Sequence, residues 1–277
     1  MKKRSVMERK WHLVKVLIGV GLVVVVFSAV HLVTRQTPEP PPVVQKQAEI
    51  KENEVVLPDH LRHLSRIVVR VRTHKSSGSG ILVKRGKRIF IWTAGYIAHA
   101  CRDTTGEFST AAWVSVPLVN GTDDVPASVI RYGGLDGPAL LELYGKHFRQ
   151  GEPYIPQSTV FAKEETSSKI GDTVWHTTPF LSLATKGIIK ELGRVYQSIT
   201  YDVTTPISVA GSGGGGVFTE EGICLGMVML GSADLSCFIL PSREIRRWAK
   251  AKGVAWAIDP LVPMPSEEEL KKLPIED

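Results

Sequence analysis

The fold is decided by a glycine-rich stretch toward the C-terminus, Gly211-Ser-Gly-Gly-Gly-Gly-Val-Phe218. A phosphate-binding loop would continue into Lys-Ser or Lys-Thr and a helix. Here the run continues into Val217-Phe218 and an apolar, strand-like segment instead. Glycines at this density let backbone N–H groups point at a developing negative charge and let other chain segments approach closely. The stretch therefore indicates a site built from backbone groups, and not a nucleotide loop.

Four further segments complete a pattern with this stretch. Gly78-Ser-Gly-Ile-Leu82 precedes Ile91-Trp-Thr-Ala-Gly95, Asp136-Gly-Pro-Ala-Leu-Leu141 comes later, and Gly222-Ile-Cys-Leu-Gly-Met-Val228 follows the glycine run. In this order the segments resemble the motifs of the trypsin-like serine peptidases, especially the compact bacterial and phage group. The resemblance covers roughly residues 65–253, and its specificity comes from the order of motifs that are individually weak.

The resemblance implies a particular chemistry. A serine hydroxyl is a poor nucleophile unless a histidine takes its proton and a carboxylate orients that histidine. The resemblance also places an oxyanion hole at Gly211 and Gly213, and a substrate-binding strip at Met229, Leu230 and Gly231. It implies a peptide or protein as substrate or ligand, with no cofactor and no metal.

The triad positions themselves depart from this pattern. In strict alignment the histidine position is Tyr96, the aspartate position is Gly137 and the serine position is Gly213. Tyrosine, with a pKa near 10 in solution, is a poor base at neutral pH. Glycine has no side chain, so catalysis at these positions would be only residual. This register predicts a catalytically degenerate domain that binds peptides.

A displaced triad is the alternative. His99, Asp136 and Ser212 each lie close in sequence to a lost position. A slip of one residue would restore Asp136 or Ser212, but His99 lies about one helical turn, roughly 5 Å, beyond Tyr96. This register predicts an active serine endopeptidase. Whether the chain is an enzyme therefore stays open, as does a third hypothesis, a structural spacer tethered to a membrane.

Short apolar runs separated by Gly, Pro and charged turns begin at Leu57 and predict an all-β domain. The twelve runs fall into two groups of six, which predicts two six-stranded β-barrels of the trypsin-like type over residues 57–253. The predicted strands are Ile67–Arg72, Gly80–Lys84, Arg88–Trp92, Ala112–Pro117, Ala127–Tyr132, Ala139–Tyr144, Thr173–Thr177, Lys186–Leu192, Arg194–Asp202, Gly216–Thr219, Ile223–Leu230 and Ser236–Leu240.

A C-terminal α-helix is predicted over Pro241–Lys252, with Ser242 as its cap and an apolar face packed on the second barrel. The remaining residues, 254–277, form a proline-rich acidic tail with a short helix at Glu267–Leu273, which we expect to be loosely held.

The N-terminus predicts a membrane anchor. Residues 1–15 are basic, and residues 16–34 are apolar over the length that a transmembrane helix needs. Positive residues stay cytoplasmic, which places the domain outside the cytoplasm, in a periplasm or at the cell surface. Residues 35–56 form a proline-rich stalk. A cleaved signal peptide is the alternative to an uncleaved anchor.

Charge excludes one class of partner. The chain carries a formal net charge of +6, with seven Lys or Arg and two acids in residues 1–40. The rest has 27 bases and 26 acids, so the predicted domain is nearly neutral and lacks the basic surface of a nucleic-acid binder. The expected partners are a peptide or protein, and the membrane through residues 16–34.

Three cysteines are present, Cys101, Cys224 and Cys237. Export outside the cytoplasm permits a disulfide, and an odd count leaves one thiol over. Cys224 and Cys237 fall on strands expected to be neighbours, so a bridge between them is one of the alternatives that the sequence leaves open.

Overall fold

The structure is a computed structural model of the 277-residue chain. It describes residues 54–55, 57–118, 121–144, 159–163, 168–179, 183–205, 210–231 and 236–276. The described residues belong to one compact unit, Glu49–Asp277. The predicted anchor at 16–34 and most of the predicted stalk lie outside them. No helix in these ranges has the length and apolar character needed to cross a membrane.

Six antiparallel strands close into the first barrel in the order β2-β3-β4-β7-β6-β5. Closure leaves no unpaired strand edge within this sheet. The strands, preceded by β1 at Glu54–Val55, are β2 (Val68–Arg72), β3 (Ser77–Arg85), β4 (Arg88–Ala94), β5 (Ala112–Leu118), β6 (Gly121–Tyr132) and β7 (Pro138–Leu143).

The second barrel closes in the order β8-β9-β10-β13-β12-β11, and β1 adds to it by pairing with β9. Glu54 lies opposite Thr185 in that pairing. The strands are β8 (Thr173–Thr178), β9 (Leu183–Tyr196), β10 (Ile199–Thr204), β11 (Gly216–Phe218), β12 (Cys224–Gly231) and β13 (Cys237–Pro241).

Burial explains why these segments form strands. On β5, Ala112, Val114 and Val116 are buried while Trp113 between them is 45% exposed, so one face meets the barrel interior. By contrast, β4 is buried at nearly every position because helix and tail residues cover its outer side. Trp92, for example, donates its indole N–H to the Ala257 carbonyl at 3.1 Å.

Helices are few and short in the described part of the chain. They are α1 (Leu64–Ile67), α2 (Gly95–His99), α3 (Ser242–Ala251) and α4 (Glu267–Lys272), with 3-10 turns at Asp59–Leu61 and Ala255–Ala257. The all-β prediction of two six-stranded barrels and a C-terminal helix is confirmed for these residues.

The β9–β10 hairpin differs from its prediction. The sequence placed a strand break at Gly193, but β9 runs through it to Tyr196. Gly193 has φ +73° and donates its N–H to the buried Asp202 carboxylate at 3.0 Å, so the glycine bends a continuous strand. The turn instead uses Gln197 and Ser198, at φ +48° and +67°.

The structure settles one alternative that the sequence left open and corrects one prediction. No disulfide joins Cys224 and Cys237, and both residues are buried. They stand at opposite ends of the β12–β13 pair, since Gly226 faces Pro241 and Gly231 faces Cys237. Ser242 does not cap α3, because its hydroxyl donates to the Cys224 carbonyl at 2.7 Å.

The basic face of α3 is engaged within the protein. Arg243 forms an ion pair with Asp202, a carboxylate only 3% exposed. Arg246 donates to the carbonyls of Phe161 and Ala162, and Arg247 pairs with Glu244. Arg243 and Arg246 therefore join the helix to neighbouring parts of the fold, while the exposed Arg247 pairs within the helix.

Candidate active site

The glycine-rich stretch forms a tight loop between the barrels. Gly213 accepts from the Ser79 N–H at 2.7 Å, and Gly211 accepts from the Ser79 hydroxyl at 2.8 Å. Gly214 has φ +82°, and a Cβ there would lie 2.5 Å from the Thr93 hydroxyl. Both the conformation and the close approach demand glycine. The loop is therefore fixed to the first barrel at Ser79.

Tyr96 and Gly213 occupy one space. Tyr96, on α2 of the first barrel, directs its hydroxyl at the Gly213 α-carbon. A Cβ built on Gly213 would lie 1.6 Å from that hydroxyl oxygen and 2.9 Å from the ring carbon bearing it. The two positions that strict alignment equates with histidine and serine are thus in contact. The tyrosine fills the volume in which any side chain at position 213 would begin.

Tyr96 is poorly suited to act as a base. Burial, reinforced by the nearby Cys237, raises the pKa of Tyr96 above its usual value near 10. The phenol therefore stays protonated at neutral pH and presents a neutral hydroxyl. At this position it can donate or accept a hydrogen bond, but it offers no pathway for activating a serine.

Gly137 lies where backbone leaves no room for a side chain. Its carbonyl accepts the Gly95 N–H at 2.8 Å, which ties the loop to the start of α2. A Cβ on Gly137 would approach the Gly133 carbonyl oxygen to 2.1 Å, so an aspartate there requires the backbone to shift. The three strictly aligned positions are thus assembled near one another, without catalytic side chains.

The displaced candidates do not form a triad among their described contacts. Ser212 is 1% exposed, so its hydroxyl is not accessible to a ligand in the cleft. His99 is exposed and hydrogen-bonds through Nδ1 to the Tyr132 hydroxyl at 3.0 Å. Asp136 is half-buried, and its carbonyl accepts from the Tyr201 hydroxyl at 3.3 Å.

The charge of Asp136 affects two tyrosines. Burial raises the pKa of Tyr201 to about 12, and the negative charge of Asp136 adds to the shift. Burial also raises the pKa of Tyr132, again with a contribution from Asp136. Tyr132 therefore bonds to His99 directly, whereas Asp136 acts on it only through its charge.

The predicted oxyanion and substrate positions are in part accessible. Gly211 has φ +89°, and neither its N–H nor that of Gly213 donates to an acceptor within the described ranges. On β12, Met229 is buried while Leu230 is 37% exposed and Gly231 is also exposed. Both assignments stay predictions, and the strip offers backbone groups and one exposed leucine to a ligand.

A cleft of about 790 Å³ opens beside Tyr96. Its walls come from the end of α2, the loop that follows it, and the turn before β3. The lining residues are Lys75, Ser76, Tyr96, His99, Ala100, Arg102, Asp103, Thr104, Thr105 and Gly106. The cleft is polar and open, which suits a peptide better than an enclosed small molecule.

Asp103 makes one wall of the cleft rigid. Its carboxylate accepts from the Thr105 N–H at 2.8 Å, the Thr105 hydroxyl at 2.6 Å and the Ser109 hydroxyl at 2.6 Å. These hydrogen bonds, led by that of Ser109, hold the pKa of Asp103 well below its usual value. The loop is therefore set by its own hydrogen bonds, and Asp103 stays charged.

Sequence reasoning missed the importance of His176. This β8 histidine is fully buried, and its Nδ1 lies 2.9 Å from the Gly216 carbonyl. A Cβ on Gly215 would come within 2.8 Å of its ring, and its Nε2 has no hydrogen-bond partner among the described residues. Burial lowers the pKa of His176 to about 4. A neutral imidazole therefore supports the glycine loop from beneath.

No protein-family model matches the chain, and no curated protein sequence matches it. Solved structures do. Rv3671c from Mycobacterium tuberculosis H37Rv, in the inactive form of a serine-to-alanine mutant, is 21% identical with a TM-score of 0.51. The match covers 76% of this chain and 95% of the Rv3671c chain.

Two further structures agree with this likeness. A serine endoprotease from Yersinia pestis is 19% identical, with a TM-score of 0.51 and coverage of 72% of this chain and 68% of its own. Deg5 is 17% identical, with a TM-score of 0.56 and coverage of 72% and 93%. Together with the two barrels, these neighbours show that the chain has the fold of the trypsin-like serine proteases.

Proposed function

We propose that this chain is a membrane-anchored, catalytically degenerate trypsin-like domain that binds an extended peptide or protein segment. The observation that carries the proposal is the placement of the Tyr96 hydroxyl at the start of the nucleophile's side-chain volume. Because the Tyr96 phenol stays protonated, Gly213 has no hydroxyl and Ser212 is buried, the glycine loop offers no serine nucleophile with a base beside it.

Binding has clearer support than cleavage. The glycine loop is held by Ser79, the Asp103 loop by its own hydrogen bonds, and the cleft beside Tyr96 stays open. Rigid, preformed surfaces of this kind lower the entropic cost of holding a peptide. The anchor at 16–34 would place this surface outside the cytoplasm, on a stalk.

The test is peptide binding by the full chain, purified in a mild detergent. We expect saturable binding of fluorescent neutral peptides, followed by anisotropy, with no cleavage products. Leu230→Glu places a charge on the predicted substrate strip and should weaken binding at least tenfold. Leu261→Glu, at a tail residue that is 87% exposed, is the matched control.

Two outcomes would contradict the proposed peptide binding. Cleavage of the peptides that is lost in Ser212→Ala would support the displaced triad of Ser212, His99 and Asp136. Neither binding nor cleavage, in chains that unfold with the normal cooperativity, would favour the structural spacer.

A further inference from the structure

The last described residues of the tail, 274–276, are held against the first barrel. The N–H of Tyr132, at the end of β6, donates to the Ile275 carbonyl at 2.9 Å, and the Ile275 side chain packs against the core. Glu276 forms an ion pair with Arg102. A backbone hydrogen bond, an aliphatic contact and a carboxylate–arginine pair are the elements by which proteins hold extended acidic peptides. The tail is therefore docked, in contrast to the loose tail that the sequence predicted.

Three side chains form the surface that holds the tail, Arg102, Phe108 and Tyr132, which we call the Arg102 ledge. The Arg102 guanidinium lies 4.4 Å from the centre of the Phe108 ring and 5.3 Å from that of Tyr132. The two rings are themselves 5.0 Å apart. Stacking on aromatic rings orients a guanidinium and leaves its edge free to bind a carboxylate.

The arginine is oriented further by its own loop. One terminal nitrogen donates to the Gly106 carbonyl and the other to Glu276. Its Nε is buried and has no hydrogen-bond partner within the described ranges. The Arg102 side chain is 21% exposed and Glu276 is 42% exposed. The ledge is therefore a preformed carboxylate site. Its present occupant, Glu276, is more exposed than the Arg102 that binds it.

The ledge and the cleft share residues. Arg102 lines the cleft together with Tyr96 and His99. The Tyr132 hydroxyl bonds to His99, while the Tyr132 N–H holds the tail. A peptide that entered the cleft beside Tyr96 would thus reach the surface on which Ile275 and Glu276 lie.

We infer that the Arg102 ledge is a docking site for extended acidic peptides, and that this chain occupies it in cis with residues 274–276. The inference rests on the proposed function only in taking an extended peptide as ligand. The tail is then a competitor: a partner segment with an aliphatic residue followed by a glutamate binds where Ile275 and Glu276 bind, and must displace them.

Competition in cis has a predictable size. A segment tethered by a short stretch of chain has an effective concentration of about 1 mM or more at its site. Against a tail whose intrinsic affinity is about 0.1 mM, a free peptide of the same sequence should lose roughly tenfold in apparent affinity. A substitution that weakens binding of the tail should restore the tenfold loss in the free peptide's apparent affinity.

The experiment uses a fluorescein-labelled, C-terminally amidated peptide, Leu-Pro-Ile-Glu-Asp, which copies residues 273–277. Its binding is followed by anisotropy on the full chain in detergent. Glu276→Gln should raise its affinity about tenfold. Glu268→Gln, the same change at an exposed position on α4, is the matched control and should leave affinity unchanged. A peptide with Gln in place of Glu should bind the Glu276→Gln chain at least tenfold more weakly.

Equal affinity in the Glu276→Gln and Glu268→Gln chains would overturn the inference, as would equal binding of the Glu and Gln peptides. These outcomes are separable from failure of the proposed function. If neutral peptides bind and respond to Leu230→Glu while the acidic peptide shows no preference, only the ledge is wrong. If the acidic peptide competes with the tail but Leu230→Glu has no effect, the ledge stands and the predicted substrate strip fails.

Discussion

At the residue scale, Tyr96 and Gly213 are matched to each other. The tyrosine needs a neighbour without a side chain, and the glycine leaves that space empty. Taken alone in the sequence, each residue indicates only that a triad side chain is missing at its aligned position. Their contact shows a packed pair, in which the phenol occupies the space where a side chain at position 213 would begin.

The pair can be tested by a double-mutant cycle. Gly213→Ser puts a Cβ 1.6 Å from the Tyr96 hydroxyl, so we expect about 1–3 kcal/mol of destabilisation from overpacking. In a Tyr96→His background the smaller ring removes the clash, and Gly213→Ser should cost much less. Urea unfolding measures the coupling. Strict additivity of the two single changes would show that the residues do not share the space.

His176 supplies a second test at this scale. The folded state keeps the imidazole neutral because burial lowers its pKa from 6.5 to about 4. Between pH 4 and 6.5 the imidazole is therefore protonated in the unfolded chain and neutral in the folded chain. Stability is fully present above pH 6.5 and falls as the pH drops toward 4, by about 3 kcal/mol in all.

Urea unfolding at pH 7 and pH 4.5 measures this loss of stability in the wild-type chain and in His176→Gln. The amide of the variant can still donate to the Gly216 carbonyl. The variant should lose most of the difference between the two pH values. His60→Gln, at an exposed histidine, should keep it. A His176→Gln chain with the full wild-type difference would assign the acid sensitivity to other groups.

At the element scale, the strands were predictable where burial alternates or an apolar run is bounded by turn residues, as on β5 and β4. The β9–β10 hairpin was not, because its turn uses Gln197 and Ser198 in the left-handed region, where glycine is expected. The buried Asp202 explains the outcome, since it holds Gly193 within the strand. Long-range contacts of this kind leave no local signal.

The candidate site shows the same division. Motif order located Tyr96, Gly137 and Gly213, which the fold brings near one another. Sequence spacing could not show that Ser212 is buried, that His99 bonds Tyr132, or that His176 lies beneath the loop. These facts depend on strands far apart in the chain.

The Arg243–Asp202 pair is the element-scale contact to break. Asp202 is 3% exposed and Arg243 is 35% exposed, so Arg243→Ala leaves a nearly buried carboxylate with only the Gly193 N–H. Removing one partner of a fully buried ion pair costs about 3–5 kcal/mol. Because water reaches the arginine, we expect about 2–3 kcal/mol, measured by urea unfolding.

Arg247→Ala on the same helix is the control. Arg247 is 71% exposed and its partner Glu244 is 18% exposed, so water screens this ion pair. Exposed pairs contribute about 0–1 kcal/mol to stability. Similar losses from the two substitutions would refute the structural role given to Asp202.

At the scale of the whole molecule, the site exists because the barrels meet. The first barrel supplies Tyr96 and Ser79, and the second supplies the glycine loop over its buried histidine. Ser79 joins them through two hydrogen bonds to Gly211 and Gly213. These contacts fix the glycine loop of the second barrel against the first barrel, and we propose that the neighbouring cleft binds peptides.

The most direct test of this account is labelling of the full chain with a fluorophosphonate, which reacts with activated serines, beside a Ser212→Ala control and an active trypsin. We predict no labelling of a chain that unfolds cooperatively, because Ser212 is buried and the Gly213 position holds no hydroxyl. Labelling that disappears in Ser212→Ala would contradict the account and establish a working serine peptidase with a displaced triad.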